Sequence, residues 1–189
     1  FNKYRVPKKS NQVPIILWNH RWEHDKNPQD FFKVLKIISN NNLDFKLIVL
    51  GQEFKNEMKC FTEAKINLKK HIIQFGHVET FEEYAKFLFK ADIIPITSKQ
   101  DFFGISIMEA VYCNTIPILP NRLSYPLLYN INKNPSIFYN NQLELTDKLT
   151  HIIKNFNKVK TIDFKESLEY YDWLNIAKLY DLELQKRFN

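Results

Sequence analysis

The fold is decided by two short apolar runs, Val13-Pro-Ile-Ile-Leu-Trp18 and Phe45-Lys-Leu-Ile-Val-Leu50, and by the helical pattern between them. Asn27-Pro28 predicts the start of a helix, because asparagine caps helices and proline suits their first turn. The apolar positions of this helix recur at the spacing i, i+3, i+4, i+7: Phe31, Val34, Leu35 and Ile38. Residues 13–50 therefore predict a β–α–β unit with two parallel strands.

The same alternation of strands and helices continues along the chain. A helix is predicted over about residues 56–68, and Thr80 with Glu83 predicts a capping box at the start of another. Pro117 predicts an edge or strand-end position within the fifth strand, because proline cannot donate to a ladder. Strands are predicted over residues 72–75, 91–96, 115–119 and 136–139, and helices over 105–112, 143–156 and 171–187. The pattern predicts an α/β fold, a Rossmann-like parallel sheet with helices on both faces.

The composition describes one folded unit of 189 residues, 44% hydrophobic and 25% charged, with a formal net charge of +6. The hydrophobic share excludes a disordered chain, and no apolar run is long enough to span a membrane. Cys60 and Cys113 fit neither a disulfide framework nor a metal-ligand spacing, and they predict buried, reduced thiols in a cytoplasmic protein. The basic residues are scattered, so charge alone favours a solvated lysine-rich surface over a nucleic-acid partner.

The three glycines of the chain, Gly51, Gly76 and Gly104, each follow a predicted strand or open a predicted helix. Ligands of doubly wound sheets bind at the carboxyl ends of the strands. The placement therefore suggests backbone that a ligand approaches closely, although ordinary turn chemistry also explains each glycine.

The loop after the first strand, residues 19–27, is dense in ionisable side chains. Arg21 and Lys26 have the chemistry to hold a diphosphate beside the amides of a helix start. An alternative that this segment supports equally is a solvated loop, with local salt bridges between these two cations and the neighbouring acids Glu23 and Asp25.

The same loop contains His20-x-x-Glu23-His24, which matches an inverted zinc-peptidase motif. Zinc binding by this motif needs both histidines on one face of a helix. The motif lies between a predicted strand and a predicted helix start, so we expect no zinc site here.

A second group of candidate residues surrounds the helix predicted over residues 105–112. Asp101 precedes that helix and Glu109 lies about one turn inside it. An open helix start at Gly104 and Ile105 offers backbone amides to a phosphate, and Glu109 suits the hydroxyls of a sugar. Taken alone, this segment favours the alternative, an ordinary amphipathic helix with Glu109 on its surface.

Together the two groups resemble the nucleotide-binding C-terminal half of the retaining GT-B glycosyltransferases of family four. The Arg21 to Lys26 loop is similar to that family's diphosphate clamp, and Asp101-x7-Glu109 is similar to its Glu-x7-Glu motif. The resemblance is greatest to the group that mannosylates queuosine in tRNA, and it extends from about residue 14 to residue 126. Four segments carry it: His20-Arg-Trp-Glu-His-Asp-Lys26-Asn-Pro28, Asp101-Phe-Phe-Gly104, Glu109-Ala-Val-Tyr-Cys113 and Pro120-Asn-Arg-Leu-Ser-Tyr-Pro126.

The resemblance implies a role for each matching residue. Arg21 and Lys26 would hold the diphosphate and stabilise its charge as it departs, with Asp101 touching the hydroxyls of the donor sugar. The other residues implied to bind the nucleotide sugar are Gly104 and Ile105 through their amides, Phe103, Glu109 at the ribose, and Gly76, His77 and Val78 at the base.

Two positions depart from the family pattern. Asp101 stands where the family has glutamate, so its reach toward the sugar is one methylene shorter. Asn114 stands where glycine is usual after the helix, and we expect little cost there because asparagine tolerates a left-handed backbone.

The implied reaction is transfer of mannose from GDP-mannose, with retention, to queuosine in a tRNA anticodon loop. No cofactor and no metal are expected, in keeping with the lack of an Asp-x-Asp pair in the sequence. The expected partners are a nucleotide sugar, a tRNA acceptor and an N-terminal GT-B domain that this chain does not contain, with no membrane.

The resemblance also divides the chain. Residues 1–12 would be the remnant of an interdomain linker, residues 13–170 the Rossmann-like domain that binds the donor nucleotide, and residues 171–189 a helix packing toward the absent domain. The acceptor-side residues would lie on that absent half. The chain alone is therefore expected to bind nucleotide without turning over.

Two alternatives stay open. One is a family-four transferase that acts on a glycan or lipid acceptor, which would share every donor-site residue. The other is a non-catalytic Rossmann-like module that binds a nucleotide or RNA.

Overall fold

A computed structural model describes residues 1–5, 13–52, 58–159, 168 and 170–188 of the chain. Within these residues a single sheet has the strand order β3-β2-β1-β4-β5-β6, and every neighbouring pair is parallel. Its strands are β1 (Ile15–Trp18), β2 (Lys46–Leu50), β3 (Ile72–Gly76), β4 (Ile93–Pro95), β5 (Ile116–Pro120) and β6 (Phe138–Tyr139).

The helices connect these strands and cover the sheet. They are α1 (Pro28–Asn40), α2 (Lys59–Asn67), α3 (Phe81–Lys90), α4 (Ile105–Tyr112), α5 (Tyr125–Leu128), α6 (Gln142–Lys154), α7 (Phe156–Val159) and the C-terminal helix (Trp173–Phe188). The sheet grows one way from β1 to β3 and the other way from β4 to β6, so right-handed crossovers place helices on both faces. Accordingly α1 packs against α2 and α6, while α3 packs against α4. The predicted Rossmann-like α/β fold is confirmed.

The order in which strands are added to the sheet reverses between β1 and β4, and a buried aspartate connects these two strands. Only Ile16 and Ile93 pair in the ladder between these strands. Asp92 extends the contact, because its carboxylate accepts the Ile15 N–H at 2.9 Å and its own N–H donates to the Ile15 carbonyl at 2.8 Å. Beyond the carboxyl ends of β1 and β4 the two following loops diverge, which opens a crevice between them.

Most predicted elements are present with small shifts of their ends. Helix α4 begins and ends where the sequence predicts, and the helix predicted over about 56–68 is seen as α2, with residues 53–57 outside the described residues. Thr80 Oγ1 accepts the Glu83 N–H at 3.2 Å, as a capping box requires. Asn114 adopts a φ of 66°, so the expected left-handed end of α4 is also confirmed.

The predicted start of α1, with Asn27 as the N-cap and Pro28 in the first turn, is confirmed in position but lacks the side-chain capping bond, and the prediction for Pro117 is corrected. Asn27 occupies the N-cap position of α1 in the left-handed region, with a φ of 53°, and its side chain makes no capping hydrogen bond. Its Nδ2 donates instead to Asp30 Oδ2 at 2.7 Å. Pro117 lies inside β5, which has β4 on one side and β6 on the other. Proline is tolerated there because β6 pairs with β5 only from Leu119 onward, so the Pro117 nitrogen faces no ladder partner.

The remaining sequence predictions have mixed outcomes. Neither cysteine forms a disulfide within the described residues, and Cys113 is buried as predicted, whereas Cys60 is only half-buried. Of the predicted linker remnant, residues 6–12 lie outside the described residues, and Phe1 packs its ring 5.0 Å from that of Phe81. The C-terminal helix buries none of its described residues, and the three-part division of the chain stays a prediction. No helix in the described part of the chain has the length and apolar character to cross a bilayer.

Gly51 and Gly76 form a matched pair for testing how tightly the loops at the carboxyl edge pack. Both have a positive φ, 109° and 117°, so alanine at either position is strained by about 1–2 kcal/mol. A Cβ on Gly51 would also lie 2.7 Å from the His20 carbonyl oxygen, whereas a Cβ on Gly76 meets nothing within 4 Å. Gly51→Ala should therefore lower the free energy of unfolding by at least about 1 kcal/mol more than Gly76→Ala in urea titrations. Equal losses would show that the loop after β1 yields to the added methyl group.

Candidate active site

Two adjoining cavities occupy the crevice at the carboxyl edge of the sheet, with volumes of about 520 and 470 Å³. They share Asn19, His20 and Arg21, the first residues after β1. The first cavity continues onto the loop between β4 and α4, and the second onto the loops after β2 and β3. A cleft at the strand reversal is where doubly wound sheets bind ligands.

Lys26 is the buried cation of the first cavity. Its ammonium lies 3.2 Å from Asp25 Oδ2 and 3.5 Å from Asp101 Oδ2, and it donates to the Gln100 carbonyl at 3.0 Å. Only 11% of its side chain is exposed. An ammonium has three donors, and here each finds an acceptor. The predicted salt bridge with Asp25 is present, and the contacts to residues 100 and 101 join the two predicted groups of residues.

Asp101 organises the start of α4. Its Oδ1 accepts the Gly104 N–H at 3.1 Å, and its Oδ2 accepts the Tyr125 hydroxyl at 3.1 Å in addition to the Lys26 contact. The Gly104 amide, predicted to face a ligand, thus has an acceptor within the protein, and its role toward a ligand stays a prediction. Ile105 N–H has no acceptor within the described residues, and neither has Ser106 N–H. These two amides are the ones left at the helix start.

Arg21 is the exposed cation of the cleft. Its guanidinium lies 3.1 Å from Glu23 Oε2, and 62% of its side chain is exposed. Surface ion pairs of this kind contribute only about 0–1 kcal/mol, so an anion entering the cleft competes easily for the guanidinium. The two predicted interpretations of this loop are thus compatible, since it forms local salt bridges and also lines a cavity.

His20 is buried beneath both cavities as a neutral imidazole. Its Nδ1 lies 2.9 Å from Ser106 Oγ, which connects the end of β1 to the first turn of α4. Its Nε2 is buried with no hydrogen-bond partner in the described residues. Burial, and secondarily the charge of Lys26, lowers the pKa of His20 to about 4.

The predicted base-binding residues lie around the second cavity. His77 and Val78 line it, and Gly76 ends β3 directly before them. Leu50 also lines this cavity, and its carbonyl accepts the Trp22 indole N–H at 3.2 Å, which ties the loop after β1 to the end of β2. Trp22 in turn stacks on Phe61 at 4.0 Å.

Glu109 lines a third cavity of about 660 Å³ and neither of these two, although it is in direct contact with a residue of the second. Its Oε2 accepts the Tyr84 hydroxyl at 2.7 Å, and Tyr84 lines the second cavity. Burial raises the pKa of Glu109, and the hydrogen bond from Tyr84 opposes that effect. Phe103 and Ile105 line the first cavity with Lys26 and Asp101, and Arg21 lines both cavities. Of the other predicted site residues, Gly76 and Glu109 line neither cavity, and Glu109 connects to the second through Tyr84.

The histidine motif of the loop is not helical. His24 begins a single 3-10 turn, His24–Lys26, and His20 precedes it in an irregular segment. Across the described residues, no three side chains of the kind that ligate metals converge on a common point.

Sequence reasoning missed Asn19, Tyr84 and Tyr125. Asn19 is the uncharged first residue of the loop 19–27, and Tyr84 belongs to a helix assigned by its apolar residues. The polar contacts that single them out reach 65 and 87 residues along the chain. The one available signal was Asn19 itself, a polar side chain at the end of a buried strand.

The fold and the cleft define a Rossmann-like domain with a charged cleft at its strand reversal. The chain belongs to the glycosyl transferases group 1, whose family model matches residues 2–163. It is 32% identical over 173 residues to the tRNA-queuosine alpha-mannosyltransferase of Drosophila melanogaster. That alignment covers 92% of this chain and 44% of the fly protein, so the chain spans less than half the length of this relative. The resemblance to glycosyltransferases predicted from the motifs is confirmed.

Solved structures of related proteins share the fold. Sucrose-phosphate synthase from Thermosynechococcus elongatus superposes with a TM-score of 0.73 at 16% identity, over 94% of this chain and 46% of that one. The C-terminal domain of a glycosyl transferase group 1 family protein from Francisella tularensis superposes with a TM-score of 0.67 at 17% identity, over 86% of both chains. The fold is therefore that of the C-terminal half of a GT-B glycosyltransferase.

The neutral state of His20 predicts a pH dependence of stability. An unfolded histidine titrates near 6.5, so between pH 6.5 and about 4 the unfolded chain binds more protons than the folded one. Stability from this residue is fully present above pH 6.5 and is lost as the pH falls toward 4. His20→Gln should therefore remove about 2 kcal/mol of the stability difference between pH 7 and pH 5.

Urea unfolding of both proteins at pH 7, 6 and 5 measures this difference. Exposed His151→Gln is the matched control and should keep the pH dependence of the parent protein. A His20→Gln variant whose stability falls with pH as steeply as the parent's would show that folding does not lower the pKa of His20.

Proposed function

We propose that this chain is the donor-binding half of a retaining glycosyltransferase that transfers mannose from GDP-mannose to queuosine in tRNA. The relative at 32% identity supports the mannosyl and tRNA assignments, since its name states that activity. The observation that carries the donor site is that Lys26, Arg21 and the open start of α4 border the same cavity at the strand reversal.

Lys26 is the residue suited to neutralise a diphosphate. Its ammonium is held by Asp25 and Asp101, so its position is set before a ligand arrives. Phosphate oxygens would replace one of these acceptors, and the charge of Lys26 would then oppose the negative charge that builds on the departing diphosphate. Because a fixed charge needs no rearrangement during the reaction, it stabilises the transition state more effectively than a mobile one.

Arg21 and the start of α4 complete the anion site. The Arg21 guanidinium is free to turn from Glu23 toward a phosphate, where it makes two parallel hydrogen bonds. The N–H groups of Ile105 and Ser106 add two further donors at the positive end of the helix dipole. Two cations and two amides suffice to bind a diphosphate, so the proposed site needs no metal.

Asp101 retains the capacity to contact the donor sugar. An ionised carboxylate has about four acceptor positions, and three of these hold Gly104, Tyr125 and Lys26. One position remains for a sugar hydroxyl. On the other side of Arg21, His77 and Val78 would contact the base in the second cavity, and Glu109 the ribose.

Calorimetric titration with GDP, UDP and ADP tests the donor site directly. GDP should bind more tightly than the other two, and both Arg21→Ala and Glu109→Ala should weaken it by at least about tenfold, since each removes a charged hydrogen bond. Lys99→Ala, an exposed lysine next to the cleft, is the matched control and should leave GDP affinity unchanged. Binding that ignores both substitutions would refute this donor site.

Sugar transfer by the full-length polypeptide tests the rest of the proposal. With GDP-mannose and a tRNA containing queuosine, we expect a mannosylated nucleoside in which the anomeric configuration of the donor is kept, as read by mass spectrometry and NMR. Transfer to a glycan or lipid instead would show that the proposed tRNA acceptor is wrong. Donor binding without transfer to any acceptor would favour a non-catalytic binding module. The 189-residue chain alone should bind GDP and show no turnover.

A further inference from the structure

A continuous hydrogen-bonded network joins the end of β1 to α3 and α4. Asn19 Nδ2 donates to the Ser106 carbonyl at 2.8 Å and to the Tyr84 hydroxyl at 3.2 Å. The Tyr84 hydroxyl in turn donates to Glu109 Oε2 at 2.7 Å. Three residues from distant parts of the sequence thus set one another's orientation.

The network fixes which way the Asn19 amide points. Both N–H donors of Nδ2 are used, one of them on a backbone carbonyl that can only accept. A flipped amide would place two oxygen atoms in contact at Ser106, so Oδ1 must face the other way. That Oδ1 is buried with no donor in the described residues, and Asn19 is 8% exposed.

The direction of the Tyr84 hydrogen bond is equally well defined. Burial, and then the adjacent Glu109 charge, raise the pKa of Tyr84, so the phenol stays protonated and donates to the carboxylate. Glu109 Oε2 is held in this way, whereas Oε1 accepts no hydrogen bond in the described part of the chain. The network therefore contains two oxygen acceptors without a donor in the described residues, Asn19 Oδ1 and Glu109 Oε1, on two residues that both contact the Tyr84 hydroxyl.

We propose that Asn19 and Tyr84 read the hydroxyls of the donor's ribose. Asn19 Oδ1 accepts one hydroxyl directly, and Tyr84 is a positioning residue that holds Glu109 to accept another. Two unpartnered acceptors suit a ligand that carries two O–H donors. Asn19 lines both cavities and so lies at the junction between the proposed sites for phosphate and base. This inference rests on the proposed function, because it assumes that a nucleotide occupies the cleft.

The test compares ligands with and without the hydroxyls. GDP, 2′,3′-dideoxy-GDP and pyrophosphate are titrated into the parent protein and into Asn19→Ala, Tyr84→Phe and Glu109→Gln. The parent should prefer GDP to the dideoxy analogue by at least about tenfold, and each variant should reduce that preference at least about threefold. Pyrophosphate affinity should stay within about twofold in Asn19→Ala and Tyr84→Phe, because a purely structural defect would weaken all three ligands.

Tyr112→Phe is the matched control, since Tyr112 lines the same cavity as Glu109 and its hydroxyl has no hydrogen-bond partner among the described residues. It should keep the preference of the parent. Thermal unfolding checks each variant, and Asn19→Ser replaces Asn19→Ala if the latter does not fold.

The outcomes separate this inference from the function on which it rests. If Glu109→Gln reduces the preference and Asn19→Ala or Tyr84→Phe does not, the hydroxyl-reading pair is overturned while the donor site stands. If Tyr84→Phe weakens pyrophosphate as much as GDP, Tyr84 is architectural and the inference is likewise overturned. If no variant, Glu109→Gln included, changes nucleotide binding, the donor site itself is refuted.

Discussion

The contact between Asp92 and the first residue of β1 is the constraint on which the site depends. It reinforces a junction that has one ladder pair, at the point where the sheet changes its direction of growth. A buried carboxylate that accepts a backbone N–H fixes the distance between the two strands more tightly than apolar packing does. With the amino ends of β1 and β4 held together, the loops at their carboxyl ends are the parts free to separate. The cleft is therefore a result of strand order before it is a result of any particular side chain.

The two cations of the cleft differ in how firmly their present hydrogen-bond and salt-bridge partners hold them. Lys26 has a full complement of acceptors, whereas Arg21 has one weak surface partner. An incoming anion therefore meets one cation that moves readily and one that is already in place. The exposed Arg21 guanidinium would contact the anion first, and the buried Lys26 ammonium would supply a charge whose position is already fixed. Asp101 connects the two halves of the cleft, since it contacts Lys26 and also shapes the start of α4.

Sequence periodicity predicted the fold well and the polar site only in outline. Strands such as β2 and helices such as α4 are recognisable because burial of one face imposes a repeat that neighbouring residues reveal. Lys26 lay in a segment equally compatible with a solvated loop, because two of its three acceptors, Asp101 and the Gln100 carbonyl, are more than 70 residues away in the sequence. The acceptor of the Gly104 amide was missed for a related reason. Asp101 is close to Gly104 in sequence, but the orientation of its carboxylate depends on the hydrogen bond from Tyr125. The hydrophobic pattern of the sequence predicts which residues are buried, whereas the pairing of polar groups depends on the tertiary packing.

The C-terminal helix presents large apolar side chains, among them Trp173, Tyr180, Leu184 and Phe188, to the solvent. A helix of 16 residues with no buried face has little to stabilise it beyond intrinsic propensity, which is marginal in water at this length. Any surface that covers those side chains adds its free energy of association to the formation of the helix, so ordering and docking become one cooperative equilibrium. The amide hydrogens of residues 173–188 would then exchange slowly when the helix is covered and quickly when it is not. Their exchange rates would therefore report directly whether a surface covers the helix.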